Sequence, residues 1–415
     1  MLALGRLAGA ALRVRGAAAT EVRAGEARSR TRPGSLDSSE RQYRIYWRPN
    51  RGFGCAPAGA HPNNTRTPSV SPLLQSLLVL TGLVGVIFAT LWGTLALAYM
   101  HRRRSLTANL LAALFSVLGV LTAGALLSGT WPLALLAVFV GAFAGVCAAF
   151  GAVRASNERD WKQPVARLPY ASASGDLVTV RHIRNFAYRT SDDYTVAYYD
   201  RTYDLRQLAT LDLVASYWMG RAVAHVFLSF GFAEQGQVAI SIERRDERGA
   251  TYSTLKGLFK NYELIYVVAD ERDVIRLRTS VRTKPPEDVY LYALRADRDD
   301  IRRLFLEYLR EINTLRERPE FYNTLTANCT ANFWLHARVL PERLPYSWKI
   351  LLSGFVPEYL YERGALDDSL PFAHLRDLSH INEIARGLPP DAQFSRRLRE
   401  GLAARRAAAE GGAPR

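Results

Sequence analysis

One cysteine and one histidine, far apart in the chain, carry the chemistry that residue types and spacing allow. Cys329 lies in the stretch Tyr322 to Leu335, YNTLTANCTANFWL, where polar turn-forming residues give way to helix-forming ones. Asn328 is placed to cap that helix by accepting a backbone N–H. Cys329 then falls in the first turn, where free N–H groups and the helix dipole favour negative charge. A thiol so placed ionises more readily, and the thiolate is the nucleophile. A cysteine also packs well as a small buried hydrophobe. What else converges on it separates the two readings.

Of the seven histidines, His182 ends one strand-like run and His225 lies within another, AHVFLSF. Alternation puts Val226, Leu228 and Phe230 on one face, and His225, Phe227 and Ser229 on the other. In the next run, Ile240 and Ile242 make an apolar face, with Ser241 and Glu243 opposite. The connecting GFAEQG reads as a hairpin. A turn centred on Glu234 sets His225 across from Glu243, and a register slipped by one puts Arg244 there instead. In the first register a carboxylate can hold the imidazole in the tautomer that a general base needs. A half-exposed strand histidine beside a surface glutamate fits the same spacing. His336 sits too far along the cysteine helix to meet the thiol.

The elements that must position this pair follow from composition. The chain has 415 residues, with 54 Lys plus Arg against 39 Asp plus Glu, a formal charge of +15. Such a balance suits nucleic acid or an anionic membrane surface. Single-strand recognition interleaves aromatic and basic residues, and that pattern is missing here, so no nucleic-acid partner is expected. Cys55, Cys147 and Cys329 are too scattered for a disulfide framework or a metal site. No nucleotide or phosphate motif is present, so no cofactor is implied.

Residues 1–70, rich in Ala, Arg, Gly, Ser and Pro, read as a disordered basic tail. Residues 71–154 hold three uncharged runs, Leu73 to Tyr99, Leu106 to Leu127 and Leu133 to Val153, each long enough to span a bilayer. Trp92, Tyr99 and Trp131 lie near the ends of these runs, as interface anchors do. The basic HRRR at 101–104 favours a cytoplasmic loop, which would put the domain after the third span in the cytoplasm as well.

From 155 to 390 the pattern is α+β, an antiparallel sheet first and packed helices after. The strand-like runs are 176–182, 195–200, 212–218, 224–230, 237–245, 263–270 and 288–294, rich in β-branched and aromatic residues. Asp299 to Leu315 reads as an amphipathic helix, with Ile301, Leu304, Phe305, Tyr308, Leu309 and Ile312 on one stripe. Residues 391–415, rich in Ala and Arg, are expected to be a second disordered tail.

YWMGRAVAHVFLSFGF, SIERR, LFKNYELIYVVADERDVIRLR, EDVYLYAL and YNTLTANCTANF together resemble the bacterial Lnb-type N-terminal periplasmic domain family, over roughly residues 160 to 385. The resemblance implies a circularly permuted NlpC-type papain-like fold, with the histidine strand before the cysteine helix. The Asn-Cys helix is also similar to that of lecithin:retinol acyltransferase-like enzymes. It further implies an envelope protein in the bacterial inner membrane with a periplasmic Cys–His site. Lnb itself is a lipoprotein N-acyltransferase, so the implied partners are a phospholipid acyl donor and a lipoprotein or other envelope acceptor. Carried over, Cys329 matches the nucleophile, His225 the base, and Glu243 or Ser241 the group that orients it. Cys329 N–H and Asn328 stand where a tetrahedral oxyanion would form. The spans precede the catalytic domain here, unlike in Lnb. A cysteine hydrolase on the same pair, acting on cell-wall peptide or lipid, and a non-catalytic envelope scaffold fit the same residues.

Overall fold

The computed structural model describes residues 71–100, 105–130, 133–251, 253–342 and 344–411. The tail at 1–70, the HRRR loop and Trp131 lie outside the described residues.

Three helices, α1 (Pro72–Tyr99), α2 (Leu106–Leu127) and α3 (Leu133–Ala152), are long and apolar enough to cross a membrane. Within Leu78–Arg415, one packed unit, their outward leucines, valines and Phe88 stay exposed, as lipid-facing side chains do. Small residues bring α1 and α2 close. A Cβ on Gly119 would stand 2.1 Å from Thr90 Oγ1, and Thr94 and Ser116 share a 2.8 Å hydroxyl bond. Both are devices of helix association in lipid.

Beyond α3 the chain builds an eight-stranded sheet in the order β1-β2-β9-β8-β7-β6-β10, with β5 also on β2. The strands are β1 (Tyr170–Ser174), β2 (Leu177–Arg184), β5 (Tyr198–Asp204), β6 (Leu208–Tyr217), β7 (Ala224–Phe232), β8 (Gly236–Arg245), β9 (Glu263–Ala269) and β10 (Asp288–Ala293). A two-stranded ribbon, β3 (Ala187–Tyr188) and β4 (Tyr194–Thr195), stands apart. Six of the seven expected strands are present, and the run 195–200 is split between the end of β4 and the start of β5. The purely antiparallel sheet is corrected to a mixed one, because β2 and β9 meet in parallel at Arg184 and Ala269. β1 escaped notice because its YASAS pairs through its backbone and has no apolar face to announce it.

The two faces of the sheet are covered differently. Val226, Leu228, Phe230, Ile240 and Ile242 form one core with α5 (Arg298–Glu317) and Phe333 of α6 (Cys329–Ala337). The expected stripe of α5 is wholly buried there. Val214, Phe227, Ala239, Ile265 and Val267 form the other core. It is covered by α4 (Glu271–Arg276), α10 (Asn382–Gly387) and α11 (Phe394–Gly411). Between those come α7 (Trp348–Leu351), α8 (Val356–Glu362) and α9 (Phe372–Leu378).

The C-terminal tail expected from residue 391 is thus largely α11. Ala- and Arg-rich sequence is good helix-forming material. Phe394, Leu398 and Leu402, four residues apart, share one buried face. Arg399 clamps the buried Asp212 of β6 at 2.6 Å and Glu271 of α4 at 2.8 Å. Leu398→Ala is expected to cost about 2–5 kcal/mol, as for other fully buried leucines. A chain ending before Phe394 should melt well below the full chain, and calorimetry that finds equal melting temperatures refutes this packing.

Candidate active site

The site grows from a gap in the sheet. β7 and β8 pair from the turn (Phe232↔Gly236) only as far as Leu228↔Ile240, although β7 begins at Ala224 and β8 runs to Arg245. This is the register centred on Glu234, so His225 and Glu243 face one another across strands that have parted. The N-terminus of α6 arrives at the same place. Past the end of the ladder, Cys329 packs against the core that holds Val226, whose backbone N–H favours negative charge on the sulfur.

Local bonds explain why Cys329 is held there. Asn323 Oδ1 accepts from Leu325 N and Thr326 N at 3.0 and 3.1 Å, closing the turn before the helix. Asn328 Oδ1 accepts from Thr330 N and Ala331 N, and its Nδ2 donates to Thr324 O at 2.6 Å. Both ends of the Asn328 amide are therefore engaged, and its work is the helix cap. The Cys329 N–H, at the first helical position, has no carbonyl to reach within the helix. Thr330 Oγ1 donates to Ile350 O at 2.7 Å, fixing the back of the turn. Gly354 fits where no Cβ can, since one would stand 2.1 Å from Arg221 O. Its N–H donates to Ala222 O, and Ser353 Oγ accepts from Ala224 N, so this segment pins the start of β7.

His225 is held from the opposite face. Its Nε2 lies 2.7 Å from Ser241 Oγ, and Ser241 donates to Glu243 Oε1 at 2.8 Å. A hydroxyl has one proton, and an ionised carboxylate only accepts. The Ser241 proton is spent on Glu243, so the imidazole must donate from Nε2, which leaves Nδ1 as the basic nitrogen. Ser241 is thus the direct partner, and Glu243, 3.8 Å from Nε2, acts through it.

Electrostatics keep this arrangement in one charge state. Burial disfavours the Glu243 charge, but the Arg278 and Arg184 guanidiniums outweigh it and hold the carboxylate well below its usual range. Burial, joined by the Arg278 guanidinium and opposed by Glu243, pushes His225 down to about 3. Burial pushes the Cys329 thiol up, against the pull of the Val226, Thr330 and Cys329 N–H groups. The resting pair is therefore neutral imidazole and neutral thiol. The expected dipole effect is present, and desolvation exceeds it.

No hydrogen bond joins Cys329 to His225 among the described residues. The structure brings the sulfur to the backbone beside His225, and the ring to Ser241 and Glu243. His336, set aside in the sequence, contacts Tyr266 OH and a carboxylate of Glu307, not the thiol. Sequence reasoning missed the cationic half of the site. Arg278, on the π-turn Leu277–Val281 after α4, bonds Glu243 at 3.2 Å and lies 3.9 Å from Glu287. Glu287 in turn bonds Arg282 and Ser216. Charges inside the apolar runs SIERR and ERDVIRLR were the signal that pointed there. Among the described residues no cluster has the make-up of a metal site.

Fold and site together define a membrane-helix protein whose α+β domain carries a cysteine and a tautomer-fixed histidine at one parted strand pair. Residues 194–354 match the Lnb N-terminal periplasmic domain family, the same family that the motifs resemble. His225, Ser241, Glu243, Asn328 and Cys329 all fall inside the match. The matched stretch is thus similar to a periplasmic domain, and it follows three helices long and apolar enough to cross a membrane. No curated protein and no solved structure matches the chain.

A neutral resting pair has a measurable signature. With Cys55 and Cys147 changed to serine, alkylation of Cys329 by iodoacetamide should keep accelerating with pH beyond the ordinary thiol value of about 8.5. A rate that levels off by pH 7 would reveal a thiolate–imidazolium pair instead.

Proposed function

We propose that this chain is a thiol acyltransferase anchored in the bacterial inner membrane, with its α+β domain in the periplasm. It moves a fatty acyl chain from a phospholipid to an envelope acceptor such as a lipoprotein amino terminus. The observation that carries this reading is the parted β7–β8 pair, where α6 packs Cys329 against the strand that carries His225, a histidine whose Nε2 proton is engaged. The order of histidine strand and cysteine helix supports a permuted NlpC-type papain-like domain.

In this mechanism His225 Nδ1 takes the Cys329 proton as the sulfur attacks the ester carbonyl carbon. The Cys329 N–H meets the oxyanion. The C–O bond breaks, the imidazolium returns its proton to the leaving alkoxide, and a lysophospholipid departs from an acyl-thioester. The acceptor amine then adds to the thioester. Nδ1 takes the amine proton, the C–S bond breaks, and the proton passes to the sulfur to restore the thiol. A neutral histidine is the form this cycle starts from.

Full-length protein in liposomes with acyl-labelled phospholipid should acquire a hydroxylamine-sensitive label, absent in Cys329→Ala. In His225→Ala the labelling rate should fall by roughly 10²–10⁴, the range of a positioned general base. Labelled free fatty acid or cleaved muropeptide without transfer would make the protein a hydrolase on the same pair. An intact phenotype in Cys329→Ala would make it a scaffold.

A further inference from the structure

The membrane helices end on the domain through one short turn. Lys260 takes a left-handed φ of 57° and donates through Nζ to Phe150 O and Val153 O at 2.7 and 3.2 Å, the carbonyl end of α3. Asn261 Nδ2 donates to Tyr99 O, the last residue of α1. The Phe259 ring fills the space between them, against Trp92, Tyr99 and Phe150. A spanning helix stops where hydrocarbon meets headgroups, so Phe259 to Asn261 mark that level on the domain.

Two loops are built onto this turn. Residues 253–258 lead directly into it, and 321–327 are bonded to it. Thr324 N donates to Gly257 O at 3.3 Å, Thr324 Oγ1 to Thr254 O at 3.1 Å, and Tyr322 N to Tyr262 O at 3.0 Å. Each loop ends in a bare leucine, Leu255 at 45% and Leu325 at 53% exposure. Neither loop contains a carboxylate, and Lys256 and Lys260 flank Leu258 and Phe259. Single exposed leucines are ordinary on a soluble surface. Two of them on hydrogen-bonded loops, with lysines and aromatics and no acid, have the make-up of an interfacial anchor.

We infer that the loops 253–258 and 321–327 dock on the bilayer that the spans cross. Leu255 and Leu325 enter the boundary between headgroups and acyl chains, and Lys256 sits at the phosphates. The surface is continuous with the span ends, and its charge complements an anionic leaflet. Leu325 precedes Cys329 by four residues, at most about 14 Å of extended chain. The docked loop therefore holds the thiol beside the lipid surface.

The test is a depth measurement on the full chain, with Cys55, Cys147 and Cys329 changed to serine. Nitroxides are placed at Leu255→Cys, Leu325→Cys and, as a similarly exposed reference beside Asp176, Leu177→Cys. In liposomes of phosphatidylethanolamine and phosphatidylglycerol, power saturation should show dissolved oxygen relaxing labels 255 and 325 more than a water-soluble nickel chelate does. Label 177 should show the reverse. Nickel dominance at either 255 or 325 overturns the inference. The readout is depth alone, so it stands apart from any result on acyl transfer.

Discussion

The site depends on a hydrogen-bond ladder that stops early. Once β7 and β8 part beyond Leu228 and Ile240, their backbone groups need other partners, because buried polar groups left unpaired are costly. Cys329 packs there from the α6 face, beside the Val226 N–H. On the opposite face the side chains of His225, Ser241 and Glu243 form a hydrogen-bonded chain. A fully zipped sheet would leave no opening through which the two faces share a reacting centre.

The two faces have different chemistry for the same reason. The α5 face is almost wholly apolar and binds by area. The other face mixes Val214, Phe227 and Ile265 with three buried charge clusters. These are Arg184 on Asp273, Arg278 between Glu243 and Glu287, and Arg399 between Asp212 and Glu271. Removing such ions from water is expensive, and they add little stability compared with apolar packing. Their effect is to hold a particular charge state. Arg278 keeps Glu243 ionised and His225 neutral at once, which an apolar lining would not do.

Much of this was legible in the chain. Alternation in AHVFLSF and QVAISIERR gave the facing residues, while GFAEQG left two registers open, and the ladder settles on the one that sets His225 toward Glu243. Asn328 before Cys329 announced the cap, and three uncharged runs announced the spans. Less legible was anything fixed by distant partners. Ser241 was one of two candidates for orienting the histidine, and only the single hydroxyl proton assigns it the direct contact. Arg278 reaches Glu243 from a π-turn that no local periodicity encodes. The thiol's protonation reflects how deeply α6 is set, so the capping motif alone pointed in the wrong direction. The helix at Phe394–Gly411 hid behind a composition that also describes unfolded tails.

The Arg399 clamp has a consequence for biosynthesis. Asp212 is made 187 residues before the arginine that neutralises it. At ordinary ribosomal speeds of about 5–20 residues per second, that interval is on the order of 10–40 s. Asp212 throughout it, and Glu271 once made, must stay hydrated, so this face of the sheet cannot close until the final helix has been translated. Maturation of the domain is thereby tied to completion of the polypeptide, and a prematurely terminated product exposes an acidic, half-covered sheet to envelope proteases.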